Sequence, residues 1–212
     1  MNTSRFFVNG DTRALKIAGI NLHPEWWSRP YEYAWAAQFT RAGDVVLDAA
    51  CGICHPFKFD LAGLCKSVHA VDVDERINDC AAMAGEIEYV FGDEAKSDFL
   101  GNALYDTVKF KQASIKKLPY KKSMFNTIFC ISVLEHFEPV SRVEALKEFY
   151  RTLKPGGKLI LTLDHPTANP QEMAEMVTTC GFSFAGEVDF SIPDDAVASY
   201  YLKCYRIAAV KR

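Results

Sequence analysis

The sequence predicts an α/β fold with a mainly parallel sheet, in one domain over residues 1–212. Three observations carry this. Short apolar runs alternate along the chain with stretches of helical period. Two of these runs, Val45-Val46-Leu47-Asp48 and Val68-His69-Ala70-Val71-Asp72, end in a carboxylate. The first is followed by Ala49-Ala50-Cys51-Gly52 and then by Pro56. Strand, tight loop and helix in that order are the local form of a nucleotide-cofactor site.

With 49% hydrophobic and 24% charged residues the chain can bury a sizeable core. A net charge of −3 argues against a dedicated nucleic-acid binder, which would usually show a basic face. The start, Met1-Asn2-Thr3-Ser4-Arg5, leads into no signal-like apolar core, and no run is long enough to span a bilayer. A cytoplasmic location is therefore expected, and the seven cysteines read as reduced thiols. Cys51-Gly52-Ile53-Cys54-His55 also matches the c-type haem attachment pattern. Such attachment needs an export route that this start does not offer, and a cofactor loop suits a position straight after an apolar strand better. A redox pair or zinc half-site is disfavoured because no second ligand pair has matching spacing.

Residues 1–27 are mixed and resist assignment, while 23–33 are unusually aromatic. A helix is expected over about 30–39, with Ser28 near its cap. Residues 1–40 read as an aromatic lid or helical extension of the domain. Trp26, Trp27, Tyr31 and Tyr33 either pack on the sheet or wall a substrate pocket. After the strand at 45–48, Pro56 suits the first turn of a helix. A strand at 67–74 and a helix at 75–84 follow.

Residues 85–107 read as an insertion, with a strand at 86–91 and a polar surface stretch at 93–98. Alternation predicts a half-buried strand at 108–113. The loop at 116–123 carries four lysines, either solvated or an anion patch. The apolar run 125–132 suits a strand buried on both faces. Ser141 and Glu144 stand at capping-box spacing, ahead of a helical face of Val143, Leu146, Phe149, Tyr150 and Leu153. Lys154-Pro155-Gly156-Gly157 stops that helix before a strand at 158–164. Asn169-Pro170 opens another helix, Gly181 ends it, and strands at 182–190 and 200–210 close the chain.

Further segments fall in order with these. Ser114 follows the third strand, Leu118-Pro119-Tyr120 comes next, Val133-Leu134-Glu135-His136-Phe137 follows the strand at 125–132, and Leu153-Lys154-Pro155-Gly156-Gly157-Lys158-Leu159 completes the set. Over residues 44–163 the chain resembles the class I S-adenosylmethionine-dependent methyltransferases of small-molecule type. The resemblance implies a Rossmann-like three-layer αβα sandwich with strand order 3-2-1-4-5-7-6 and an antiparallel last strand. The two closing strands suit the last two places as a hairpin.

The resemblance also implies roles by position. Asp48 would hold the methionine ammonium through water, and Ala50, Cys51 and Gly52 would line the cofactor loop. Asp72 would accept hydrogen bonds from the ribose hydroxyls, and Val73 would pack on the adenine. Ser114, where many relatives carry aspartate, and the backbone of Ile115 would meet the adenine edge. Ser132 would lie near the methionine end. Ala50 and Cys54 depart from the family's acid-x-Gly-x-Gly-x-Gly, and both are small enough for the loop to stand in ordinary φ.

The implied cofactor is S-adenosylmethionine, and the implied reaction is methyl transfer to an O or N atom of a small or medium-sized metabolite. His136 and His165 are the candidate bases, because imidazole titrates near neutral pH. The competing readings are an RNA or protein methyltransferase and a non-catalytic binding module of the same fold. Neither a metal nor a membrane partner is expected.

Overall fold

A computed structural model of the chain describes residues 2–212. In chain order its elements are β1 (Asn2–Phe6), the hairpin strands β2 (Lys16–Ile17) and β3 (Ile20–Asn21), α1 (Arg29–Ala37), β4 (Val45–Ala49), α2 (Phe57–Leu64), β5 (Ser67–Asp72), α3 (Cys80–Phe91), α4 (Asp93–Gly101) and β6 (Val108–Gln112). They continue with β7 (Phe125–Ile131), α5 (Pro139–Thr152), β8 (Leu153–His165), α6 (Pro170–Thr179), β9 (Phe182–Phe184), β10 (Glu187–Asp189), β11 (Ala198–Ser199) and β12 (Leu202–Lys211). No helix among the described residues is long and apolar enough to cross a membrane.

The main sheet runs in the order β10-β1-β12-β8-β7-β4-β5-β6, with β9 and β11 also paired to β12. Neighbouring strands from β6 to β8 are parallel, and β12 is antiparallel to β8 over eight residue pairs. Successive strand residues face opposite sides, so Val46 and Leu47 enter two different cores. Residues of α1 to α4 pack with the first core and residues of α5 and α6 with the second, which makes the three layers. The expected order of the five parallel strands and the antiparallel last strand is present.

The strand count is higher than seven, and the extra strands gather at one edge. The expected hairpin of 182–190 with 200–210 forms only in part. Phe182, Ser183 and Phe184 pair with Lys211, Val210 and Ala209. Further along β12, Arg5 and Phe6 of β1 already pair with Arg206 and Tyr205. The chain beyond Phe184 therefore steps outward, and β10 pairs with β1 instead. The place of one edge strand is shared between the two ends of the described chain.

Several expectations about helices change, first that of a helix at 75–84: Glu75–Asn78 form a 3-10 turn and α3 begins only at Cys80. Residues 86–91 are not a strand but the second half of α3. The Asp79 carboxylate accepts hydrogen bonds from the amides of Ala81 and Ala82, and Met83, Ala84 and Ile87 bury one face. Gly92, at φ 88°, ends α3 and leads into α4, which occupies the stretch expected as polar surface and buries Ala95 and Phe99. Ser141 does not cap α5: the helix begins two residues earlier at Pro139, whose ring fits the first turn. Leu153 opens β8 rather than closing the α5 face. In the turn that follows, glycine is required at 157, since a Cβ there would lie 2.8 Å from the Lys154 carbonyl oxygen.

Phe6 ties β1 to the second core, with its ring 5.6 Å from Tyr205 and 5.9 Å from His165 between centroids. It is fully buried. Phe6→Ala is expected to lower unfolding free energy by about 3–5 kcal/mol in urea titration. A loss below about 1 kcal/mol would mean that β1 is not integral to the sheet.

Candidate functional site

The site is built at the C-terminal ends of the parallel strands, where α/β sheets bind ligands. The loop between β4 and α2 is held on both sides. On one side, the Cys51 amide donates to the Val71 carbonyl at 3.0 Å, and the Gly52 amide donates to Asp72 Oδ2 at 2.9 Å. The other Asp72 oxygen accepts from the Asp74 amide at 3.0 Å. On the other side, the fully buried Lys58 of α2 reaches back into the loop. Its Nζ donates to the carbonyls of Gly52 at 2.9 Å, His55 at 2.5 Å and Cys51 at 3.4 Å.

This grip corrects the expectation for Ala50. It stands at φ 56°, in the left-handed region that glycine takes freely, as Gly52 does at φ 61°. The loop keeps the glycine shape with a methyl group on it, at a cost of about 1–2 kcal/mol. Cys54 has no positive φ and is buried in the first core. Both cysteines of the haem-like pattern are free and buried, and burial pushes the Cys51 thiol well above its usual range.

A cavity of about 70 Å³ lies over the loop. Asp48, Ala50, Cys51, Gly52 and Ser132 line it, together with Arg29, Tyr33 and His55. Burial pushes Asp48 up to about 7; Lys58 opposes this and the negative charge of Asp72 adds to it. Asp72, Val73, Ser114 and Ile115 do not line this enclosed part. Asp72 is bonded to the loop, and Val73 just beyond it is 67% exposed. Ser114 Oγ accepts from the Lys116 amide at 3.2 Å, and Ile115 is buried in the second core.

Ser132 is itself strained, at φ 49°. Its amide donates to the Thr162 carbonyl at 2.9 Å, and its hydroxyl donates to Glu32 Oε1 at 2.5 Å. Glu32 is fully buried in α1 and also accepts from Arg29 at 2.5 Å and from Ser28 at 3.2 Å. Burial pushes the Glu32 carboxyl up, but Arg29 and the hydroxyl donors outweigh it and hold it below its usual range. Burial likewise opposes the charge on Arg29, and Glu32 overcomes it. Ser28 thus precedes α1 as expected, but its hydroxyl serves Glu32 rather than a helix amide.

A second cavity, of about 200 Å³, shares Arg29 and His55 with the first. Trp26, Trp27, Glu25 and Asp164 complete most of its wall. His55 stands between the two. Its ring stacks on Trp26 at 4.5 Å, and its Nδ1 is hydrogen-bonded to the Tyr33 hydroxyl at 2.8 Å. Burial, with Arg29 and Lys58 nearby, holds His55 well below the usual histidine range, so it is neutral. A Cβ on Gly52 would meet this ring at 2.5 Å, so the loop needs glycine there.

Of the aromatic residues singled out in the sequence, Trp26 and Trp27 face the second cavity and Tyr33 faces the first. Tyr31 lines neither. It is buried against Phe7, under Arg13. Neither candidate base reaches a cavity wall. His136 is exposed on a 3-10 turn whose inward residues are Leu134 and Glu135. His165 turns to the opposite face of β8 from Asp164, edge-on to Phe6. Asp164 stands at the second cavity instead, pushed up to about 6 by burial and by Glu32, with Arg29 opposing.

Arg29, Glu32, His55, Lys58 and Asp164 were not picked out from the sequence. A lysine between two phenylalanines, Phe57-Lys58-Phe59, and the charged pair Arg29 and Glu32 one helical turn apart were the available signals.

Residues 47–161 match a family profile described as a methyltransferase domain. Over 180 residues, 79% of this chain and 69% of the relative, the chain is 24% identical to the ubiquinone/menaquinone biosynthesis C-methyltransferase UbiE of Pseudomonas fluorescens strain SBW25. Among solved structures it is similar to the PH0226 protein of Pyrococcus horikoshii OT3, with a TM-score of 0.64, 18% identity, and coverage of 89% of this chain and 92% of that one. It is also similar to magnesium protoporphyrin IX methyltransferase (ChlM) from Synechocystis PCC 6803, solved with bound SAM. There the TM-score is 0.59 and the identity 20%, over 85% of this chain and 76% of the other.

Lys58→Met leaves three inward carbonyls without their donor. It is expected to cost about 3 kcal/mol in stability, and to raise hydrogen exchange at the amides of Cys51 and Gly52 above the global rate. Unchanged exchange at those two amides would show that the cation does not hold the loop.

Proposed function

The chain belongs to the methyltransferase-domain family of S-adenosylmethionine-dependent enzymes, and on that premise we propose that its first cavity receives the methionine end of S-adenosylmethionine and its second the methyl acceptor. The observation that carries this is the pair of cavities meeting at Arg29 and His55, above a loop whose backbone is bonded to the acid ending the next strand. When bound, the cofactor supplies a methyl group already activated by a sulfonium.

The residues present fit that cofactor. Asp48, buried at the cavity floor, meets the ammonium. The backbone of Ala50, Cys51 and Gly52 passes under the methionine portion, and Ser132 borders the same end. Each Asp72 oxygen accepts one backbone amide and keeps a lone pair for a ribose hydroxyl. The exposed Val73 offers an apolar face to the adenine, with Ser114 and the Ile115 backbone at its edge. Of the segment 1–40 expected as a lid, β1 is a strand of the main sheet, and the stretch around Trp26 serves as the lid, its indole stacked on His55 to keep water from the meeting point of the cavities.

A cavity of about 200 Å³ supports a small or medium-sized acceptor rather than a macromolecular one; the methylated centre in this reading is an O or N atom. The protein's own work is to place that atom and exclude water, effects worth about 7–11 kcal/mol in favourable cases.

Calorimetry with S-adenosylmethionine tests the reading, and no heat at millimolar cofactor would refute it. Asp72→Ala is expected to weaken binding at least about tenfold, since two hydroxyl contacts of about 1 kcal/mol each are lost. Unchanged affinity would remove Asp72 from the ribose.

The raised Asp48 gives a pH dependence with a defined sign. Folding lifts its carboxyl from 3.8 to about 7, so its contribution to stability is present at low pH and is lost as pH rises through that window. Binding an ammonium favours the ionised form. Cofactor affinity is therefore expected to strengthen from about pH 6 to about pH 8, with proton release seen as buffer-dependent heat. Asp48→Asn should flatten both signals, and a wild-type affinity that falls over the same range would contradict the assignment.

A further inference from the structure

The acceptor cavity is charged unevenly. Arg29 reaches its wall, but that charge is matched by Glu32 at 2.5 Å. His55, also in the wall, is held neutral. Against these stand two acids with unpartnered oxygens. Asp164 lines the cavity, and its buried Oδ1 has no hydrogen-bond partner. Glu135 is 3% exposed, and neither of its oxygens is hydrogen-bonded to another residue. Glu135 feels the charges of Asp164 and Glu32, and Asp164 that of Glu32, with Arg29 opposing in both cases. Glu25 adds a fourth acid at the exposed rim. The rest of the wall is aromatic, with the indoles of Trp26 and Trp27 and the ring of His55.

A buried carboxylate without a partner is costly, and an unpaired oxygen in a cavity wall marks where a ligand's donor completes the structure. Aromatic faces beside it attract cations through their quadrupole. Resting on the reading of the two cavities given above, we infer that the methyl acceptor is a small cationic amine, its ammonium on the Asp164 carboxylate and its apolar body against Trp26 and Trp27. Carboxylate and phosphate acceptors are repelled by the same acids. Asp164 then has a second task. The ammonium must shed a proton before its nitrogen carries a lone pair, so an N–H bond breaks and an O–H bond forms on the Asp164 carboxylate. Release of the product returns that proton to solvent.

The experiment is calorimetric titration of the chain saturated with S-adenosylhomocysteine, using 2-phenylethylamine, butylamine, 2-phenylethanol and 3-phenylpropionate as probes. At least one amine is expected to bind ten or more times tighter than 2-phenylethanol, and the carboxylate not at all. Asp164→Asn should abolish the preference for amine over alcohol while leaving alcohol and S-adenosylhomocysteine binding unchanged, the latter also reporting that the variant is folded. Trp27→Leu should weaken the amines at least threefold. Equal binding of amine and alcohol, tighter binding of the carboxylate, or an unchanged preference in Asp164→Asn overturns the inference, as does failure of every amine. An Nα-acetylated lysine peptide that binds where the free amines do not would also overturn it, by moving the ammonium to a protein. Failure of S-adenosylhomocysteine itself would instead strike the reading of the first cavity, which separates the two failures.

Discussion

One buried ammonium sets the shape of the site. Lys58 sits in the first turn of α2 with no exposed surface, and the loop before it folds its carbonyls inward around the Nζ. With the carbonyls turned in, the amides of Cys51 and Gly52 point the other way, to Val71 and Asp72. That orientation forces positive φ at Ala50 and Gly52 and exposes a bare backbone to the cavity. The cost of burying Lys58 is offset by three oxygen acceptors and by the nearby acids.

Charge compensation then divides the site into a finished part and an unfinished part. Glu32 has Arg29, Ser28 and Ser132 as donors, and it locks α1 to the end of β7. This is structural glue: every oxygen is satisfied. Asp164 Oδ1 and both oxygens of Glu135, a few residues from Ser132 and Thr162, have no hydrogen-bond partner. A fold that satisfies one buried carboxylate so fully and leaves an oxygen of Asp164 unpartnered beside a cavity has kept bonding capacity where a ligand arrives.

The fold was legible where local pattern and tertiary context agree. Apolar strands ending in Asp48 and Asp72, and the Asn169-Pro170 start of α6, are decided by neighbours in sequence. Residues 86–91 were misjudged because an apolar run of that length suits either a strand or the back of a helix, and only the Asp79 cap upstream decides. The cofactor loop was legible from its small residues, but the positive φ of Ala50 was not, since it is imposed by Lys58 and Asp72 from outside the loop. The histidines drew attention through their intrinsic pKa, whereas His136 faces outward and Asp164 acquires its poise from burial. Such poise is a property of the environment and leaves no mark on the residue type.

The shared edge of the sheet bears on how the chain comes together in time. Ser4 accepts a hydrogen bond from the Ala208 amide, a contact between residues 204 positions apart. β1 emerges from the ribosome about 200 residues ahead of its partner β12. Until β12 pairs with β8, the apolar face of β1 has nowhere to go, and the closure of so long a loop is slow. During synthesis Phe6 and Phe7 therefore stay open to wrong partners until β12 is made.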